Sequence, residues 1–230
     1  MKVLDLGSGA GDVALLLAEL VGPQGQVIGV DTNTEILDTA RGRVQAAGWT
    51  TVAFQRSDIQ HLDLDDDFDA VVGRWVLMYL PDPVGLLRKT QADLRPGGIV
   101  ALQESDLRNP PRPYPPGQLH EQVRRWTTPP PGAPGPDLEM GLKLFQTFLR
   151  AGLPAPQLRL DAPIGGGPGW PGYAYLAGTV RSLLPFMQQV GAVAPEEVDI
   201  DTLEDRLRAE VVMQNGIQIL PALIGAWARI

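Results

Sequence analysis

The first eleven residues carry the spacing Asp5-x-Gly7-x-Gly9-x-Gly11, a carboxylate followed by a chain path with almost no side-chain bulk. Glycine adopts positive φ without steric cost and lets a ligand lie against the backbone. An apolar run, Val13 to Leu20, follows, and the first amides of a helix there have no internal partner. The combination is a cradle for a nucleotide-like ligand. It is not the G-x-G-x-x-G spacing of a dinucleotide turn, because position 12 is Asp12. A carboxylate at a helix N-terminus competes with a pyrophosphate for the same dipole, so a ligand without phosphate at that point suits the turn better.

Three further side chains have types and positions that could do chemistry. Asp31 closes the short apolar run Gln26 to Val30, about twenty residues beyond the glycine turn, where an acidic side chain can bond both hydroxyls of a ribose. Its other reading is an N-cap for the next helix, a role that Thr32 or Asn33 could equally fill. Glu104 ends the apolar run Ile99 to Gln103 and is a candidate for positioning a substrate or accepting a proton. His120, within a short helical stretch from Gly117 to Trp126, is a candidate general base, with a surface histidine as the alternative. His61 and the run Asp65-Asp66-Asp67 read as a solvated turn, and no metal site is expected.

These residues need a scaffold that delivers strand ends to one place. A strand around Val3, Leu4 and Leu6 is expected, then a helix over Val13–Leu20, a strand over Gln26–Val30 and a helix over Glu35–Ala47. A strand over Thr50–Gln55, a strand over Phe68–Gly73, a helix over Pro83–Leu94 and a strand over Ile99–Gln103 continue the pattern, with Arg95–Gly98 as a turn. Strand and helix alternate at short spacing, which is the pattern of a parallel α/β sheet. Beyond it lie expected helices over Asp137–Ala151, Gly172–Gln189 and Thr202–Asn215, a strand near Gln157, and a final strand over Leu220–Ile230.

Composition limits the function classes. The 230 residues suffice for a single domain over 1–230, with 107–151 and 165–215 expected as cap or insert segments. A net charge of −8 repels a phosphate backbone, so no nucleic-acid partner is expected. Cysteine is absent, which excludes a disulfide scaffold, a thiolate metal site and a cysteine nucleophile within this chain. No apolar run is long enough to span a membrane and no leader is evident, so a soluble, cytoplasmic protein without a membrane partner is expected. The oligomeric state is not legible. The 26 glycines and 22 prolines gather at Asn109–Pro136 and Pro163–Gly172, which read as long surface loops.

The opening motif resembles the first motif of the class I S-adenosylmethionine-dependent methyltransferases. FDAVVGRWVLMYLPDP and LRPGGIVALQE are similar to that family's fourth-strand and fifth-strand segments. The resemblance implies a Rossmann-like, doubly wound seven-stranded sheet, mostly parallel, with an antiparallel last strand between strands five and six. It implies S-adenosyl-L-methionine as cofactor and methyl transfer to a nitrogen, oxygen or carbon nucleophile of a small metabolite, and the composition of the proline-rich loops and apolar helices beyond strand five suggests that this acceptor is hydrophobic. It places Asp5, Gly7, Ser8, Gly9 and Gly11 at the amino-acid end of the cofactor, Asp31 and Thr32 at the ribose, and Asp58 and Ile59 at the adenine. Arg74 and Trp75 would emerge near the sulfonium, with Tyr79 a further aromatic candidate, packing between the loop and the next helix being the equal alternative for Trp75 and Tyr79. Tyr173, Tyr175, Phe186 and Met187 could line the acceptor pocket, although core packing is the commoner fate of such residues.

The sequence starts at the first strand, whereas the family usually carries a helical lid segment ahead of it, so either that segment is trimmed from this sequence or the lid is absent. Asn109-Pro110-Pro111-Arg112 is similar to the Asn-Pro-Pro-aromatic motif of nucleic-acid amino-methylating enzymes, but it follows strand five and Arg112 stands where the aromatic belongs. It reads instead as the start of a proline-rich cap. Two other functions remain open on the sequence, a non-catalytic adenosyl-ligand binder and a nicotinamide oxidoreductase.

Overall fold

A short run with apolar side chains on both faces, Val3, Leu4 and Leu6, makes Lys2–Leu6 a central strand, β1, whose residues Val3 to Leu6 are all buried. The structure, a computed structural model, describes residues 1–62, 68–109, 111–128, 135–189, 193 and 195–230. The acidic run Asp65-Asp66-Asp67 and Pro110 lie outside the described residues.

From β1 the chain runs through α1 (Asp12–Val21), β2 (Gln26–Asp31), α2 (Thr34–Ala46), β3 (Val52–Arg56) and β4 (Phe68–Arg74). A 3-10 turn (Leu77–Tyr79), α3 (Pro83–Ala92) and β5 (Leu94–Asp106) follow. Then come β6 (Arg112–Tyr114), α4 (Gln118–Thr127), α5 (Met140–Ala151), β7 (Gln157–Asp161), β8 (Ile164–Gly166) and α6 (Gly172–Gln189). The chain ends with α7 (Pro195–Val198), α8 (Leu203–Met213), β9 (Ile217–Ile219) and β10 (Ala222–Arg229).

The described residues form two compact units. The first, 1–106, 136–160 and 223–230, holds a seven-stranded sheet of order β3-β2-β1-β4-β5-β10-β7. β1 pairs in parallel with β2 and β4, β2 with β3, and β4 with β5. The last strand runs antiparallel beside β5, where the Ile230 amide donates to the Gly98 carbonyl at 3.0 Å and the Gly97 amide to the Ile230 carbonyl at 2.7 Å. This is the Rossmann-like architecture implied by the resemblance. Val3, Ala14, Leu17, Val27 and Ala70 pack α1 onto one face of the sheet. Burial of a Val or Leu side chain among them contributes about 1.5–3 kcal/mol, and of an alanine methyl roughly 0.8 kcal/mol.

The expected turn Arg95–Gly98 is a bulge within β5, since Leu94 pairs with Phe68 and Ile99 with Ala70. The helix α5 was expected in a cap segment. It packs on β5 and α3 instead, and Gly141 allows this because a Cβ there would meet the Ser105 carbonyl carbon at 2.9 Å.

The second unit, 107–135 and 161–222, contains α4, α6 and α8 around a core of Val123, Trp126, Tyr173, Leu176, Val180, Leu203 and Leu207. It also contains a three-stranded antiparallel sheet, β6-β9-β8, absent from the sequence expectations. Its strands are three residues each, too short for a period-2 pattern to stand out, and β6 lies inside the proline-rich stretch. Among the described residues no helix is long and apolar enough to cross a membrane, and no group of three metal-ligating side chains is found.

Candidate functional site

The glycine turn is built by the backbone it lacks side chains to obstruct. Gly7, Gly9 and Gly11 all take positive φ, at +64°, +51° and +85°. At Gly7 a Cβ would lie 2.7 Å from Cγ2 of Val76, so a side chain is excluded by packing as well as by φ. The Ser8 amide donates to the Val30 carbonyl at 2.9 Å and the Gly11 amide to the Ser8 carbonyl at 2.9 Å, which ties the turn to β2 and leads it into α1.

The carboxylates are brought to this turn. Asp31, at the end of β2, accepts from the Gly9 amide at 3.0 Å on Oδ2 and from the Asn33 amide at 2.9 Å on Oδ1. An ionised carboxylate has about four acceptor sites, so capacity remains for a ligand hydroxyl. The cap of α2 is Asn33, which accepts from the amides of Glu35 and Ile36, and Thr32 is exposed beside it.

Asp5 is 1% exposed and neither of its side-chain oxygens makes a close hydrogen bond, the Ala14 amide acting on the carboxyl only weakly; the Ser8 hydroxyl is likewise buried and unpartnered. Burial pushes the Asp5 pKa up to about 7, against the pull of the Arg74 guanidinium. Arg43, which the sequence reading passed over, donates to the Ala10 carbonyl and to Asp12, both at 2.7 Å, holding the turn from α2. Asp12 thereby meets α2 through Oδ1 while its Oδ2 lies 3.8 Å from the Arg74 guanidinium, and neither ion pair has a short-range signature in the sequence.

Asp58 follows β3, and its carboxylate accepts from the Gln60 amide at 2.9 Å and meets His61 Nδ1 at 3.0 Å. The Gln60 bond, then His61, lower its pKa below the usual carboxylate range. Ile59 beside it is buried. Arg74 and Trp75 emerge at the end of β4, with the guanidinium 5.1 Å from the indole ring centroid. Trp75 has φ of +54°, a conformation that costs a non-glycine residue energy and is fixed by three bonds to its surroundings. Its amide donates to the Gln103 carbonyl at 3.0 Å, its indole N–H to Ser105 Oγ at 2.8 Å, and the next amide to Glu104 at 3.0 Å. Tyr79 is exposed.

The two candidate catalytic residues differ from their sequence readings. Glu104 is fully buried, and its Oε1 accepts from the amides of Val76 and Leu77 at 3.0 and 2.7 Å while Oε2 has no partner. Burial raises its pKa to about 7. Its contacts are with the loop after β4 and not with an open surface.

His120 is neither a surface histidine nor free to serve as a base. It is 2% exposed in α4, with Nδ1 2.7 Å from Glu210 Oε2 and Nε2 2.9 Å from Gln218 Nε2. The Trp170 indole N–H, which only donates, reaches Gln218 Oε1 at 3.0 Å. That fixes the amide, so Gln218 Nε2 donates to His120 Nε2 and His120 Nδ1–H donates to Glu210. Both ring nitrogens are consumed, and burial lowers the imidazole pKa against the opposing pull of Glu210. Tyr173 and Met187, named above as possible pocket residues, lie in the core of the second unit, whereas Tyr175 is exposed.

A family model described as a methyltransferase domain matches residues 1–131. The 2-phytyl-1,4-naphtoquinone methyltransferase of Synechococcus elongatus is 38% identical over 133 residues, 56% of this chain and 55% of that protein. The arsenite methyltransferase of Halobacterium salinarum is 40% identical over 103 residues, 44% of this chain and 26% of that protein. The chain therefore spans about half the length of the first relative and about a quarter of the second. In fold it is similar to the crystal structure of the YcgJ protein from Bacillus subtilis, with a TM-score of 0.57 at 19% identity over 99% of this chain and 91% of that one.

Proposed function

The chain belongs to the methyltransferase-domain family, and from that premise we propose that it is an enzyme transferring the methyl group of S-adenosylmethionine to a nitrogen, oxygen or carbon nucleophile of a small organic molecule. The observation that carries the reading is the pair of carboxylates at the glycine turn, Asp31 bonded to the Gly9 amide and Asp5 buried with no close hydrogen bond to either oxygen, only the weaker pull of the Ala14 amide and Arg74. A buried carboxylate lacking close hydrogen bonds is costly, and a cationic ligand group relieves that cost. The amino-acid end of S-adenosylmethionine carries such an ammonium, and the cofactor has no phosphate to conflict with Asp12.

On this reading Asp5, Gly7, Ser8, Gly9 and Gly11 hold the amino-acid end, Asp31 and Thr32 the ribose, Asp58 and Ile59 the adenine, and Arg74 and Trp75 flank the methyl-donating end. The cofactor supplies an activated methyl group on a sulfonium that is already a good leaving centre. The protein's share is alignment, which in well-oriented systems is worth roughly 7–11 kcal/mol. No fixed base is required, in keeping with both His120 nitrogens being engaged. The two relatives above are named for different acceptors, so the matched stretch bears on cofactor use and not on acceptor choice.

The test is calorimetric titration with S-adenosylmethionine, S-adenosylhomocysteine and NAD. Both adenosyl ligands should bind and NAD should not. Asp31→Ala should weaken binding by about 1.5–3 kcal/mol, the range for a hydrogen bond to a charged group. Failure of both adenosyl ligands to bind would overturn the reading. Binding without methylation across an acceptor screen would leave a non-catalytic binder.

A further inference from the structure

We propose that Glu104 is a positioning residue for the glycine turn, acting through Val76, and so sets how tightly that turn holds an adenosyl ligand; this rests on the reading of the turn as the cofactor site. The relay is contiguous. Glu104 at the end of β5 accepts from the amides of Val76 and Leu77, the donors that open the 3-10 turn after β4. The Val76 side chain, 6% exposed, is wedged between two glycines. A Cβ on Gly7 would lie 2.7 Å from its Cγ2, and a Cβ on Gly73 2.9 Å from its Cγ1. Fixing the Val76 amide therefore fixes the wall against which the first residue of the glycine turn rests.

Two observations set Glu104 apart from an ordinary packing residue. It is completely buried with Oε2 unpartnered, a placement that disfavours its ionised form and that an apolar side chain of similar size would avoid. The residues on either side share its task, since the Gln103 carbonyl and Ser105 hydroxyl hold Trp75 in its left-handed conformation. The last residues of β5 thus grip the whole loop, and the loop abuts the turn.

The test uses S-adenosylhomocysteine titrations and thermal melts of the full chain and of Glu104→Gln, Glu104→Leu, Val76→Ala and the double variant Glu104→Leu/Val76→Ala. Glutamine keeps an acceptor oxygen for both amides and should bind within about threefold of the unaltered chain. Leucine, with no acceptor, should lose about tenfold or more. Val76→Ala should lose affinity similarly, and the double variant should be no worse than the weaker single, because both act on one contact.

A folded Glu104→Leu with unchanged affinity overturns the proposal, as does a double variant whose loss is the product of the two singles. If Glu104→Leu does not fold, Val76→Ala decides, and unchanged affinity there overturns it. If the unaltered chain does not bind S-adenosylhomocysteine, the cofactor reading itself falls; binding with unaffected variants removes this inference alone.

Discussion

On the proposed reading of the glycine turn, Asp5 trades stability against ligand binding. Desolvation raises its pKa from 3.8 to about 7, so the folded chain favours the protonated form, and the cost of burying this carboxylate grows as pH rises from about 4 through 7. An asparagine there removes the charge and most of the cost. Asp5→Asn should stabilise the ligand-free chain at pH 8 by about 1–2 kcal/mol, with the gain shrinking at pH 5, while weakening adenosyl-ligand affinity by about tenfold. Denaturant melts at the two pH values and calorimetry check both halves. No stabilisation at pH 8 would show that the carboxylate is better solvated than its burial implies.

The helix α4 begins at Gly117, which provides no side-chain cap, and its orphan amides at Leu119 and His120 donate instead to Glu210 of α8, at 2.7 and 3.1 Å. One carboxylate therefore caps α4 and anchors the imidazole, which in turn holds Gln218 of β9 and, through it, Trp170. The groups facing His120 are Glu210 and Gln218, with Glu121 and Arg124 paired to each other on its own helix. Protonating Nε2 would set two donors against each other.

Because burial depresses the His120 pKa below its ordinary 6.5, the stability of this arrangement is full above that value and is lost as pH falls through the lower folded value. Burial raises the Glu210 pKa, but the His120 bond and the two amides together bring it below the usual range, which adds loss in the same direction at lower pH. Amide hydrogen exchange of α4 should accelerate, relative to β1, as pH is lowered from 7 to 5, after correction for intrinsic rates. Glu210→Ala should cost about 1–2 kcal/mol of protection and leave the His120 pH dependence in place, because burial depresses the imidazole pKa and Glu210 only opposes that. An α4 whose protection is independent of pH would refute the relay.

At the scale of the whole chain, the sheet unit is assembled from three separate stretches, and the second unit from the two between them. The segment after β5 leaves the sheet and the chain returns only for α5, β7 and finally β10, which enters antiparallel beside β5. The net charge of −8 acts over the same scale and opposes association with polyanions. A mobility-shift assay with duplex DNA at near-physiological salt should show no complex, and a retarded band would overturn that expectation.

What the sequence determined by itself is the sheet unit's beginning and the turn at its centre. The strand, the glycine turn and α1 are encoded within about twenty consecutive residues, through periodicity, positive-φ positions and an acid at a strand end, so they are legible without a partner. Asp31 beside the turn follows from parallel pairing of two adjacent strands. The tertiary structure alone decided what Glu104 and His120 touch, because their partners stand 27 to 98 positions away and leave no spacing to read. It also decided the small second sheet, whose strands are too short to carry a period, and the placement of α5, which depends on a glycine that permits close approach to β5.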